Sequence, residues 1–194
     1  MLDKYIPLLA TFLEQKFITE LSQNCQITSN DDFENCGYIV DATVQEIEIP
    51  KSSFESKSPY WSGKHQVYGI KSQAIVTFQG VAVHIATGIK AGIHDKAVFD
   101  QSYEDFKQKV LSYHQKEPQK IIGDKGYQDN ESSVLVTPFK GTIFNLKDDQ
   151  LLFNQNLGKI RVIAENYFGR VKNRYRIPKE CYRGSLFHYV LCVG

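Results

Sequence analysis

Apolar positions fall at helical spacing from residue 2 to 23, where Leu2, Tyr5, Ile6, Leu9, Phe12, Leu13 and Phe17 share one face and predict a helix. Asn24 to Asn35 is polar and reads as a loop. The pattern then changes. CGYIVDATVQEIEI runs apolar or alternates with β-branched residues, predicting a strand through Asp41 and an extended continuation. PKSSFESKSPYWSGKHQ is rich in Ser, Pro and Lys and reads as a surface excursion. VYGIKSQAIVTF and VAVHIATGI follow, and their link at Gln79-Gly80 predicts a two-residue hairpin.

HDKAVFDQSYEDFKQKVLSYHQK returns to helical spacing, with Val98, Phe99, Phe106, Val110 and Leu111 near one face and Pro118 beyond the end. QKIIGD and SVLVTPF are two short strands, the second ended by Pro138. From about Leu146 the pattern is helical again: Ile160, Ile163, Ala164, Tyr167, Phe168 and Val171 form one stripe, and Pro178 stops it. An antiparallel meander followed by strands joined through helices gives a mixed α/β sheet flanked by helices.

A chain of 194 residues suits one domain with a core that needs no disulfide or metal staple. With 42% hydrophobic and 23% charged residues the composition is that of a soluble globular protein. No apolar run approaches the ~18 residues of a membrane span. The N-terminus carries charges through its apolar stretch and shows no small-residue cleavage site, so the expected location is intracellular, not secreted. Cys25, Cys36, Cys181 and Cys192 then read as reduced thiols. Cys181, His188 and Cys192 form the only cluster that could suggest zinc, and without a CxxC pair it reads as incidental.

The net charge of +1 conceals an asymmetry. Residues 1–60 hold ten acidic and four basic side chains, whereas residues 159–183 hold eight basic ones (Lys159, Arg161, Arg170, Lys172, Arg174, Arg176, Lys179, Arg183) against Glu165 and Glu180. A cationic segment of this density suits a polyphosphate partner. A solvated helix face explains it equally well.

Three carboxylates stand where this layout would gather them. Asp41 closes the buried-looking Tyr38-Ile39-Val40, Asp124 ends IIGD, and Glu165 lies one residue past Ala164 on the apolar side of the last helix. Carboxylates brought together repel and raise one another's pKa unless cations neutralise them. Mg²⁺ takes oxygen ligands, keeps waters and binds substrate phosphates, and two such ions ~4 Å apart suit an in-line phosphodiester displacement. Each residue also has a local explanation. An Asp at a strand end can be a turn former, and Glu165 can pair with Arg161 one helical turn earlier. Lys172 shares that face and suits either an ion pair or a phosphate contact.

The blocks VDATVQEIEIP, YWSGKHQVYGIK, GIKAGIHDKAVFD, IIGDKGYQ, VLVTPFK and FNQNLGKIRVIAENYFGRVKNRYRI, in this order, carry a resemblance. Over roughly residues 33–178 the chain resembles the DDE superfamily endonuclease domain of PIF/Harbinger-type transposases, which has relatives among bacterial insertion sequences. An ordered set of six blocks is more specific than any single motif. The resemblance implies an RNase H-like fold and a site binding two Mg²⁺ or Mn²⁺ ions, with Asp41, Asp124 and Glu165 as catalytic metal ligands. At the His94-Asp95 step it implies at most a supporting metal role for Asp95, because an aspartate at a helix N-cap is useful structurally. The first block departs from the family's usual Asp-Gly-Thr, since Ala42 stands where glycine is common. On this reading residues 1–32 are a helical segment and loop left from an upstream region, and 33–194 are the endonuclease domain, clipped at its C-terminal helix.

Two functions from different classes follow. The first is a metal-dependent DNA endonuclease and strand-transferase, with Lys64, Lys125, Arg161, Lys172 and Arg174 contacting phosphates. The second is a transposase remnant that binds DNA or protein without catalysis. DNA is the expected partner, with room for an accessory DNA-binding protein and a homodimer and with no membrane role. The expected compartment is the nucleus in a eukaryote and the cytoplasm otherwise.

Overall fold

The computed structural model describes residues 33, 35–49, 51, 53–111, 120–128, 134–142, 144–174 and 180–183. The helix predicted over residues 2–23 lies outside them, as do Cys25, His188 and Cys192. Six strands are present: β1 (Cys36–Glu46), β2 (Trp61–Ser62), β3 (Val67–Thr77), β4 (Ala82–Lys90), β5 (Lys120–Ile122) and β6 (Leu135–Val136). The helices are α1 (Phe54–Lys57), α2 (Asp95–Lys109) and α3 (Asp148–Arg174). Among the described residues, no helix is long and apolar enough to cross a membrane.

β1 lies at the centre. It pairs antiparallel with β3 on one side and parallel with β5 on the other; β3 pairs antiparallel with β4 and, near its start, with β2, and β5 pairs parallel with β6. This is the mixed sheet that the sequence pattern implies. β1 begins with five buried residues because helices cover both of its faces. Alternation sends Tyr38 and Val40 to one face, with Ile75, Val83, Ile121 and Tyr127, against Phe99, Phe106 and Val110 of the α2 segment. It sends Ile39 to the other, with Ala74, Val76, Ile122 and Phe33, against Leu157 and Ala164 of α3.

Three details differ from the sequence reading. β1 runs to Glu46, so Asp41 lies in mid-strand and not at the strand's end, because the ladder with β3 continues from Asp41↔Ala74 to Glu46↔Gly69; Ile47 beyond it bridges to Tyr182. The β3–β4 link spans Phe78–Val81 instead of two residues, because Phe78 turns in to pack beside α3. Gly80 adopts φ +73° there, a conformation that favours glycine. Arg170 of α3 donates to the Gly80 carbonyl and clamps the turn.

The third difference is that the stretch 53–66, at the surface as its composition implies, is also tied down: Trp61 and Ser62 pair with Tyr68 and Val67, and the Gly92 amide donates to the Pro59 carbonyl at 2.9 Å. Trp61 also packs on Tyr68 edge to face, with centroids 5.1 Å apart. Polar composition hides this arrangement, because its partners are 5 to 33 residues away.

Candidate active site

Asp41 and Asp124 occupy matching places on neighbouring parallel strands. Ile39 is paired with Ile122, and each aspartate lies two residues farther on. Two residues along a strand preserve the face, so both point toward the side covered by α3. Asp124 also forms a turn: its Oδ1 accepts from the Lys125 amide at 2.5 Å, at the start of the 3-10 turn Lys125–Tyr127. The turn geometry of IIGDKGYQ and the approach of Asp124 to Asp41 therefore coexist in one residue.

α3 packs against β1 through Ala164 and supplies the third carboxylate. Arg161, one turn before Glu165, reaches between them. Its Nη2 lies 3.5 Å from Asp124 Oδ2 and 3.8 Å from Glu165 Oε1. Its side chain is only 19% exposed, and its Nε is buried without a hydrogen-bond partner among the described residues. Arg161, proposed from sequence as a phosphate contact, thus stands inside the acidic rim. Lys64 is 4.0 Å from Asp124 and largely exposed, a second cation at the rim's edge.

Burial raises the pKa of Asp41, and the charge of Asp124 pushes the same way; the Ala42 backbone hydrogen bond, Arg161 and Lys64 act against it. Negative charge here is costly and only partly compensated. Nearby, burial together with Lys64 and Lys172 depresses the pKa of His65, so its imidazole is neutral at pH 7. Burial depresses the pKa of Lys172 as well.

The donor chemistry, carboxylate oxygens alone, fits a hard divalent cation. The gathering is incomplete. Asp41 and Asp124 are neighbours, but Glu165 joins them only through Arg161, and among the described residues no three His, Cys, Asp or Glu side chains form a metal-holding group. Arg161 supplies the positive charge that a cation would supply.

On the sheet face opposite α3, a cleft of about 440 Å³ runs up to Asp124. Lys64, His65, Trp61, Lys71, His94 and Asp95 line it, among others. Lys71 and His65 were missed in the sequence reading. Lys71 left a signal, a lysine inside the apolar run VYGIKSQAIVTF, whose alternation turns it toward α2 with Gln73 and Ile75. His94, not Asp95, is the N-cap of α2, its Nδ1 accepting from the Lys96 amide at 3.4 Å. Asp95 is the first helical residue, and its Oδ1 sits 2.6 Å from Lys71 Nζ. Of the remaining basic residues singled out, Lys125 and Arg174 are exposed and Lys172 is partly buried.

A comparison with curated proteins returns no match, and a comparison with solved structures returns none either. The family model of the DDE superfamily endonucleases matches residues 40–193, well over half the chain and all three carboxylates. The mixed sheet β4-β3-β1-β5-β6, with helices on both faces, is consistent with the RNase H-like fold of that family. On the ordered blocks, the sheet and this match together, the chain belongs to the DDE superfamily endonucleases.

Proposed function

We propose that the protein is a divalent-metal-dependent DNA endonuclease and transposase of the PIF/Harbinger kind, acting on phosphodiester bonds. The observation that carries this reading is the placing of Asp41, in the middle of β1, beside Asp124, just past the end of the neighbouring β5, with Glu165 on the helix that crosses the same face. Asp41 and Asp124 would hold Mg²⁺ or Mn²⁺, and Glu165 would complete a site for two ions once Arg161 releases it. Bound ions of this type lower the pKa of water and neutralise the leaving oxygen.

The chain's own groups have complementary tasks. Arg161, with an unpartnered buried Nε between two carboxylates, is placed to exchange them for a phosphate oxygen of the DNA. Lys64 stands at the rim with a side chain 70% exposed, free to approach a neighbouring phosphate. Lys125, Lys172 and Arg174 extend the cationic surface away from the carboxylates. Water serves as nucleophile for cutting and a DNA 3′-hydroxyl for joining. An accessory DNA-binding protein, a homodimer and a nuclear setting accord with this reading.

The test is nicking of supercoiled plasmid by purified protein in Mg²⁺ or Mn²⁺. Wild type should nick, while Asp124→Asn and Glu165→Gln should not, with DNA binding retained. A second reading, a remnant that binds DNA or protein without catalysis, draws on the Arg161 bridge, which already neutralises two of the three carboxylates. Binding without cleavage in either metal would select it.

A further inference from the structure

We infer that Asp95 is a positioning residue, fixed by Lys71 and acting through Gln73, Gly126 and Tyr127 to hold the turn that presents Asp124. The inference rests on the reading of Asp124 as a metal ligand, and it concerns groups on the other face of the sheet.

The two familiar roles for an aspartate at this step are taken up otherwise. The N-cap is His94. The Asp95 carboxylate is engaged by a lysine whose side chain is 8% exposed, at 2.6 Å, and that lysine also donates to the Ile93 carbonyl. A buried ammonium so held makes Asp95 a fixed point instead of a free donor to a metal.

From that point, contacts lead directly to the Asp124 turn. A Cβ added at Gly126 would lie 3.3 Å from Asp95 Oδ2, so the turn backbone rests against the carboxylate. Gln73 Nε2 donates to the Asp95 carbonyl at 3.2 Å and to the Tyr127 hydroxyl at 3.1 Å. Ser102 of α2 donates to Gln73 Oε1 at 3.4 Å, which sets the orientation of the amide. Tyr127 is fully buried, its ring edge-to-face with Phe99, and its amide donates to the Asp124 carbonyl at 2.9 Å. At Gly123 a Cβ would meet Tyr127 Cβ at 3.0 Å, so the backbone on the other side of Asp124 is pressed against the same ring.

Both flanks of Asp124 are therefore set by one tyrosine, and that tyrosine is set by β3 and the start of α2. Groups that orient a ligand from behind influence metal affinity strongly, typically 10- to 100-fold. A core tyrosine without this duty would need no such polar anchor, since phenylalanine would fill the same volume.

Two variants of the full-length protein test this. Tyr127→Phe removes only the hydroxyl. Lys71→Met/Asp95→Asn removes both charges of the pair together, which avoids leaving one buried charge alone. Mn²⁺ titration by calorimetry should show ~10- to 100-fold weaker binding in both variants. Hydrogen exchange should speed up in the 120–128 segment while β1 and β3 keep their protection. Lys71→Arg, which retains the charge, should restore much of the affinity. Unchanged Mn²⁺ affinity with unchanged exchange at 120–128 would overturn the inference, as would exchange that accelerates across the whole sheet. If wild type binds no Mn²⁺, or Asp124→Asn binds it equally well, the metal reading fails. Exchange at 120–128 then still decides whether the turn is held in this way.

Discussion

Asp41 shows how one residue carries both a cost to the fold and a use for the site. Its pKa is raised chiefly by burial, so as pH climbs past the ordinary 3.8 the unfolded chain ionises first. The folded state loses stability from that pH upward, and the loss is complete above the folded pKa. At pH 7 without metal, Asp41→Asn should therefore raise Tm, by about 2–4 °C for each kcal/mol relieved in a chain of this size. The advantage should vanish below pH ~4, where wild type is also neutral; an equal advantage at pH 3 would assign it to packing. Mg²⁺ or Mn²⁺ should raise the wild-type Tm and leave Asp41→Asn/Asp124→Asn unmoved. The thiols give a separate check. Cys36 is fully buried and its pKa is pushed up to about 11 by burial, whereas Cys181 is exposed. Native alkylation at pH 8, mapped by mass spectrometry, should label Cys181 and spare Cys36.

At the scale of elements, local pattern succeeded where each strand or helix buries its own periodic face. β1, β3, β4, α2 and α3 follow from alternation or from helical spacing, because their apolar side chains all meet one core. α1 and β2 did not emerge, since their stretch has too few apolar residues to show a period. α1 starts from a local Ser53 cap, and tertiary contacts hold β2 and the turn before it: a Cβ at Gly92 would lie 2.7 Å from the Pro59 carbonyl oxygen and 3.0 Å from that of Trp61. Gly92→Ala should destabilise by about 1–3 kcal/mol through overpacking and loosen the 54–66 segment in hydrogen exchange. Gly158, inside α3 with nothing within 4 Å of an added Cβ, sets the opposite expectation. Gly158→Ala should stabilise by about 0.5–1 kcal/mol, measured by urea unfolding. A destabilising Gly158→Ala would show that the added methyl does not fit at that position.

Over the whole molecule the fold divides the cationic segment that the sequence presents as one. Arg161 is drawn into the acidic rim and Arg170 clamps the β3–β4 turn, which leaves the partly buried Lys172 and the exposed Arg174 at the end of α3. Lys172→Gln/Arg174→Gln should weaken DNA binding for all sequences alike and reduce the slope of log K against log salt by up to ~1.8, or ~0.9 per lost contact on duplex DNA. An unchanged slope would leave those charges as a solvated face. The sequence by itself determined the mixed sheet, the burial at the start of β1, the placing of Asp124 just past a strand end and the family blocks around both aspartates. All of these are periodic or consecutive features, and a period of two or 3.6 residues states which way a side chain faces. Only the tertiary structure decided which charges meet. It set Asp41 beside Asp124 through the register of β1 and β5, turned Arg161 inward to both Asp124 and Glu165, and joined Lys71 to Asp95 beneath the Asp124 turn. Periodicity specifies a face and not the partner across it; for charges, the partner depends on strand order and helix placement among residues tens of positions apart.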